Sequence, residues 1–135
     1  MGSDTAVERL MTTEIVTVSP DTEITDAAES LLSQKAGSLV ALDEQKAVSG
    51  ILTCTDLAEL VAENSVSTEV TVADHMTTDV TTISPAASVQ DSASKMITHG
   101  IQHLPVTDGD GEMVGMLSTT DVTNHLTYSG SVGTT

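Results

Sequence analysis

The sequence predicts a mixed α/β fold: two tandem βαββα units packed sheet to sheet about a pseudo-twofold axis. Three observations lead there. The chain repeats itself after 65 residues, each copy passes through strand and helix patterns in the same order, and one copy alone is too small to bury both faces of its sheet.

The repeat comes first. Met11-Thr12-Thr13-Glu14-Ile15-Val16-Thr17-Val18-Ser19-Pro20 falls on Met76-Thr77-Thr78-Asp79-Val80-Thr81-Thr82-Ile83-Ser84-Pro85, and the same shift runs without a gap until Asp56 falls on Asp121. On the way Asp26 meets Asp91, Leu39 meets Leu104, Asp43 meets Asp108 and Gly50 meets Gly115. Each copy opens with a β-branched run, Ile15 to Val18 or Val80 to Ile83, that ends at Ser-Pro. A helix follows, with apolar residues at 3.6-residue spacing: Ile24, Ala27, Ala28, Leu31 and Leu32, then Val89, Ala93, Met96 and Ile97, with Ser92 a weak member. Two apolar runs come next, Leu39 to Leu42 and Val48 to Leu52, parted by Asp43-Glu44-Gln45-Lys46. In the second copy the break is Asp108-Gly109-Asp110-Gly111, a hairpin signal. A second helix opens at Thr53 or Ser118, its apolar face in the first copy running through Leu57, Leu60 and Val61. The repeats are expected over 7–64 and 72–126, with a polar linker from Asn64 to Thr71 and a disordered Ser/Gly/Thr-rich tail over 127–135.

Composition narrows the function. Apolar residues make up 39% of the 135, but with no Trp, no Phe and only Tyr128 the core must be Val, Leu, Ile, Ala and Met. That excludes an aromatic platform for single-stranded nucleic acid. Twenty acidic residues against Arg9, Lys35, Lys46 and Lys95 give a net charge of −16, a surface that repels nucleic acid and anionic membranes alike. The balance is similar to that of proteins from salt-accumulating halophilic archaea, and at molar salt a Debye length of about 3 Å would screen the self-repulsion. Cys54, alone, forms no internal disulfide. No apolar stretch approaches the roughly 18 residues of a membrane span, and Met1 to Leu10 lacks the pattern of a signal peptide. The expected location is the cytoplasm.

The sharpest local motif is Gly50-Ile51-Leu52-Thr53-Cys54-Thr55-Asp56, echoed as Gly115-Met116-Leu117-Ser118-Thr119-Thr120-Asp121. Two chemistries fit it. Thr53 or Ser118 is an N-cap with Asp56 or Asp121 in the first turn, where the helix dipole favours a carboxylate. Equally, a helix N-terminus with free N–H groups and hydroxyls suits a phosphate, and a carboxylate there suits the vicinal hydroxyls of a ribose.

Taken with Gly100-Ile101-Gln102-His103-Leu104-Pro105-Val106-Thr107-Asp108, the twice-repeated order of Met-Thr-Thr, strand, Ser-Pro, helix and Thr/Ser-x-x-Asp turn resembles the cystathionine-β-synthase (CBS) domain family, in its tandem form, the Bateman module. The resemblance spans about Val7 to Leu126. It implies a regulatory module, not an enzyme, that binds AMP, ADP, ATP or S-adenosylmethionine in clefts between the repeats and needs no cofactor beyond that ligand. It also implies a homodimer that signals to an effector protein in trans. Position by position, it assigns Asp56 and Asp121 to the ribose, and Thr53, Thr55, Ser118 and Thr120 to the phosphates. It matches Ile15, Val16, Val80 and Thr81 to the first-strand residues that line the adenine pocket, sets Gln102 and His103 where relatives place basic phosphate contacts, and counts Pro105 among the ligand-binding positions. His103 meets that role when protonated, or weakly as a neutral donor. The first copy has Gly37-Ser38-Leu39-Val40 there, so the two clefts are expected to differ. So little positive charge favours AMP or a ligand of few negative charges, and S-adenosylmethionine fits the electrostatics at least as well.

Other constellations carry less. An EF-hand starting at Asp108 needs Gly sixth and Glu twelfth, where this chain has Met113 and Thr119, so the segment is a hairpin turn. His99 and His103 have a helical metal spacing, but Gly100 breaks the helix between them. Cys54 has no basic neighbour in sequence and is a structural thiol, and the methionines fill the core. The competing function is a purely structural dimerisation module without ligand. For the dimer surface Leu57, Leu60, Val61, Val122 and Leu126 stand against burial within the monomer.

Overall fold

The structure is a computed structural model that describes residues 5–67 and 69–128. It divides into two compact units, Ile15–Val80 and, as the second, residues 5–14 together with 81–128.

The first unit contains β1 (Val16–Val18), α1 (Ile24–Gln34), β2 (Ser38–Leu42), β3 (Val48–Thr53), α2 (Cys54–Ala62) and the single turn α3 (Val72–His75). β1 lies parallel to β2, with Val16 opposite Leu39, and β2 pairs antiparallel with β3, from Ser38 opposite Thr53 to Ala41 opposite Gly50. A parallel pair needs a crossover, and α1 supplies it. Ile24, Ala27 and Leu31 of α1 pack with Val16, Leu39, Ala41, Leu52, Leu60 and Val72 in one core. The helix stops where Lys35 turns left-handed at φ 53°, its N–H donating to the carbonyls of Leu31 and Leu32.

The second unit contains a 3-10 turn (Val7–Arg9), α4 (Val89–His99), β4 (His103–Thr107), β5 (Met113–Ser118) and α5 (Thr119–Tyr128). β4 and β5 pair antiparallel, His103 opposite Ser118 and Val106 opposite Gly115. Ser92, the weak member of the α4 face, is fully buried, and its hydroxyl donates to the carbonyl of Val89 at 2.5 Å. The strand expected over Val80 to Ile83 shrinks to one parallel bridge between Ile83 and Val106. Its segment is as β-branched as Val16-Thr17-Val18, but Pro105 stands where the first copy has Val40 and has no N–H to donate to the carbonyl of Thr81, so the ladder is limited to Ile83 N donating to Pro105 O and Thr107 N to Ile83 O, both at 3.0 Å. The helix α5 continues through Thr127 and Tyr128, two residues past the expected end of the second repeat; the rest of the expected tail lies outside the described residues.

Repeat and unit do not coincide: the head of each copy packs with the body of the other. Val7 N donates to Ala87 O and Val89 N to Thr5 O, both at 2.8 Å. In the first unit Val72 N donates to Thr22 O at 2.8 Å and Ile24 N to Val70 O at 2.9 Å. Val7 and Val72 are fully buried, each in its host's core, a burial worth about 1.5–3 kcal/mol apiece. Beyond them Thr12 bridges Met116 and Thr77 bridges Ile51, adding an antiparallel edge contact to β5 and β3. Gly50 and Gly115 make this possible. A Cβ on Gly50 would lie 2.5 Å from Sδ of Met76, and one on Gly115 would lie 2.5 Å from Sδ of Met11. The Met-Thr-Thr signature is thus a methionine seated on a glycine followed by a threonine bridge.

The two hairpins are built alike. Asp43 Oδ1 accepts from the N–H groups of Gln45 and Ala47, at 2.8 and 2.9 Å, and Asp108 Oδ1 from those of Asp110 and Glu112, at 2.9 and 3.0 Å. Lys46 and Gly111 hold the left-handed position of the turns. The aspartate of Asp-Gly-Asp-Gly therefore organises a hairpin, as its failed match to a calcium loop requires.

Candidate functional site

Each unit presents a turn where its last strand becomes a helix. In the first, Thr53 N donates to Asp56 Oδ2 at 2.8 Å and Asp56 N donates to Thr53 Oγ1 at 3.2 Å, a reciprocal capping box on α2. In the second, Asp121 Oδ2 accepts from Ser118 N at 2.9 Å and from Ser118 Oγ at 3.0 Å, while Asp121 N donates to Ser118 Oγ at 3.2 Å. A further strap ties each turn to the neighbouring strand's approach: Cys54 N to Gly37 O and Thr119 N to Gln102 O, both 3.0 Å.

The capping reading is therefore correct, and it leaves the ligand reading intact. All of these carboxylate bonds use Oδ2, so Oδ1 of each half-buried aspartate takes no part in the cap. Thr55 and Thr120, one residue before each aspartate, are exposed. A third Thr-x-x-Asp turn, Thr71 to Asp74 at the head of α3, shows the motif serving as a cap alone. Asp74 is fully exposed, and the N–H and hydroxyl of Thr71 hold its carboxyl below the usual carboxylate range.

Within the second unit the fold gathers Thr81, Gln102, His103, Pro105, Ser118, Thr120 and Asp121; Ile15, Val16, Thr53, Thr55, Asp56 and Val80 fall in the first. Their exposures differ. Ile15, Val80 and Thr81 are half-buried and Gln102 is exposed. Val16 is 4% exposed and belongs to the core, so a ligand there would meet its backbone more than its side chain. Pro105 is fully buried, and its carbonyl accepts from Ile83 N at 3.0 Å. His103 lies half-buried opposite Ser118; burial pushes its pKa below the ordinary histidine value, and the nearby Asp121 charge pulls part of the way back.

Sequence reasoning missed two features. Asp56, Glu59, Leu60, Glu63 and His75 line a small polar hollow of about 140 Å³ beside the first turn. The spacing of Asp56, Glu59 and Glu63 along one helix face was the available signal, but nothing in the sequence brought His75 to it. The second is Leu32 and Ile97. Both were expected on the buried helix face, yet they are 79% and 82% exposed, because Leu31 and Met96 take the core positions beside them.

Two βαββα repeats, each ending in a capped Thr/Ser-x-x-Asp turn, define a tandem α/β repeat protein. The CBS domain family's profile matches residues 7–63 and 72–128, and the chain belongs to that family. It is 30% identical over 128 residues to the CBS domain-containing protein YhcV of Bacillus subtilis, a match covering 95% of this chain and 90% of that one. Among solved structures it superposes on the CBS domain pair of protein MJ0100, in complex with 5′-methylthioadenosine and S-adenosyl-L-methionine, with a TM-score of 0.86 and 26% identity over 93% of this chain and 98% of that one. It superposes on CBSX2 in complex with AMP with a TM-score of 0.79 and 25% identity, over 92% and 97% of the two chains. Some curated relatives are much longer: the chain spans 25% of the homoserine O-acetyltransferase of Methanococcus vannielii, at 28% identity. Among the described residues no helix is long and apolar enough to cross a membrane.

Proposed function

We propose that this chain is a regulatory module that binds an adenosine-containing ligand at its Thr/Ser-x-x-Asp turns and signals occupancy to a partner protein in trans. The observation that carries this is the division of labour within each aspartate. Oδ2 closes the cap, so the turn is rigid before any ligand arrives, and Oδ1 remains outside the cap, suited to accept from a ribose hydroxyl. Ser118, Thr120, Thr53 and Thr55 supply hydroxyls, and the helix N-terminus supplies a favourable field for an anion. MJ0100 and CBSX2, solved with S-adenosylmethionine, 5′-methylthioadenosine or AMP, support the ligand class. In this reading the ligand leaves unchanged, and the module works in the cytoplasm, where such ligands are made. Turnover of an adenine nucleotide by the purified chain would contradict it.

The module acts as a homodimer. Leu32 and Ile97 are equivalent under the 65-residue shift, and so are Val61 and Leu126; these four are among the most exposed large apolar side chains. Apolar exposure duplicated at matching positions supports one selected surface used twice. Of the earlier candidates, Leu60 and Val122 are instead buried within their own units, Leu57 is half-buried, and Val61 and Leu126 remain. The same four residues favour the second reading, a dimerisation module without ligand. Isothermal titration of AMP and S-adenosylmethionine separates the two: heat of binding abolished by Asp121→Ala or Asp56→Ala supports the sensor, and no heat from either compound supports the scaffold.

A further inference from the structure

Leu32 stands at the centre of a stripe that the two repeats do not share. Glu29, Leu32 and Lys35 follow one another at three-residue spacing along α1 and its C-cap, so they lie on one face, and all three are exposed. Under the 65-residue shift the same stripe on α4 reads Ser94, Ile97 and Gly100, with no charge on it. Neither charge of the first stripe has a partner at hand. The residues three and four positions from Glu29 are Thr25, Asp26, Leu32 and Ser33, and those before Lys35 are Leu31 and Leu32. Among the described residues neither forms an ion pair within the chain.

Lys35 is also a backbone outlier. It takes φ 53°, a left-handed position that Gly100 holds in the other repeat without steric cost, in a chain with four basic residues among 135. A lysine that stands there against local preference points to a use for its charge. Beside the stripe, between α1 and α2, is an open apolar hollow of about 390 Å³ whose lining includes Ala28, Leu32, Lys35, Ala36, Cys54 and Leu57. Ala36 leaves room there where the second repeat has Ile101.

Resting on the homodimer of the functional reading above, we propose its contact and its orientation. Helix α1 of one copy lies antiparallel on α1 of a second, about a twofold axis beside Leu32. Glu29 of each copy pairs with Lys35 of the other, and Leu32 of each enters the other's hollow. Symmetry does the matching. Where antiparallel helices cross at one residue, the position three before it on one helix faces the position three after it on the other, so opposite charges at those two places complement themselves and the pair forms twice. First repeat therefore faces first repeat. The opposite orientation, α1 on α4, would set Glu29 and Lys35 against Gly100 and Ser94, taking water from both charges and supplying no counter-charge.

Sedimentation equilibrium of the wild type, Glu29→Lys, Lys35→Glu and an equimolar mixture of the two variants tests this, at the lowest salt in which the wild type stays folded so that the charges are least screened. Both side chains are exposed, so folding is not at stake. Glu29→Lys is the decisive variant, because net charge and pairing predict opposite signs. Taking two units from a formal charge of −16 relieves repulsion between copies, whereas the proposed contact then sets lysine against lysine twice. The expected result is a dimer dissociation constant raised about tenfold or more in each variant alone, and returned close to the wild-type value in the mixture, where every crossed pair again joins lysine to glutamate. A dimer tightened or unmoved by Glu29→Lys, or no recovery in the mixture, would overturn the contact while the homodimer stands. A wild type that stays monomeric throughout would sink both.

Discussion

Replacing Gly50 with alanine puts the exchanged heads to the test. The new Cβ would lie 2.5 Å from Met76 Sδ, 2.6 Å from Met76 Cγ and 2.9 Å from the carbonyl oxygen of Thr77. The methionine can swing aside, but the carbonyl cannot, because it accepts from Ile51 N at 3.0 Å while Thr77 N donates back to Ile51 O at 2.9 Å. Overpacking of this kind costs about 1–3 kcal/mol, against the roughly 0.4–1 kcal/mol that losing a glycine contributes through the unfolded chain. Gly50→Ala should therefore destabilise by about 1–2 kcal/mol. Gly115→Ala meets only the side chain of Met11, at 2.5, 2.8 and 3.2 Å, and should cost less. Urea unfolding measures both, and Met76→Ala introduced beside Gly50→Ala should recover part of the loss in a double-mutant cycle. If Gly50→Ala is neutral or stabilising, or if Met76→Ala adds its own cost in full, the methionine is not seated on the glycine and the packing derived above is wrong.

Three further predictions use other parts of the molecule. Lys35 occupies a left-handed position, φ 53°, that its repeat equivalent Gly100 holds at φ 63°; Lys35→Gly should stabilise by up to about 1 kcal/mol in urea titrations, and Gly100→Ala should destabilise by about as much. Because the folded-state pKa of His103 is depressed, the unfolded chain binds the proton more readily. Its contribution to stability is therefore present above the ordinary histidine pKa of 6.5 and is lost as pH falls through the lower folded value, a loss His103→Ser should remove from pH-dependent melts. Leu32→Glu with Ile97→Glu should convert a dimer to a monomer in analytical ultracentrifugation with little change in the urea midpoint, since both side chains are more than three-quarters exposed.

Much of the fold was legible because duplication multiplies weak signals. Neither Ile24 to Leu32 nor Val89 to Ile97 is decisive alone, but their agreement under one shift is, and α1 and α4 occupy those places. The turns were legible for a similar reason: Thr53 to Asp56 and Ser118 to Asp121 are local, so spacing sets their geometry. What was illegible is non-local. Val7 and Val72 are chemically the same residue in the same context, and no property of either says which copy's core receives it. The shortening of the second copy's first strand to a bridge at Ile83 turns on Pro105, whose missing N–H matters only once its register against Thr81 is known. Leu31 and Leu32 adjoin on the helix face, and which one enters the core is decided by the sheet beneath, not by periodicity.

The central claim, an adenosine sensor, is tested most directly by thermal melts of the wild type, Asp56→Ala and Asp121→Ala with AMP or S-adenosylmethionine. Ligand present at about 100 times its dissociation constant adds roughly 2.7 kcal/mol. The account predicts that at least one compound raises the wild-type midpoint and that one aspartate replacement abolishes the rise while the variant still unfolds cooperatively. Identical midpoints with and without every compound would contradict it, and the capped turns would then be caps and nothing more.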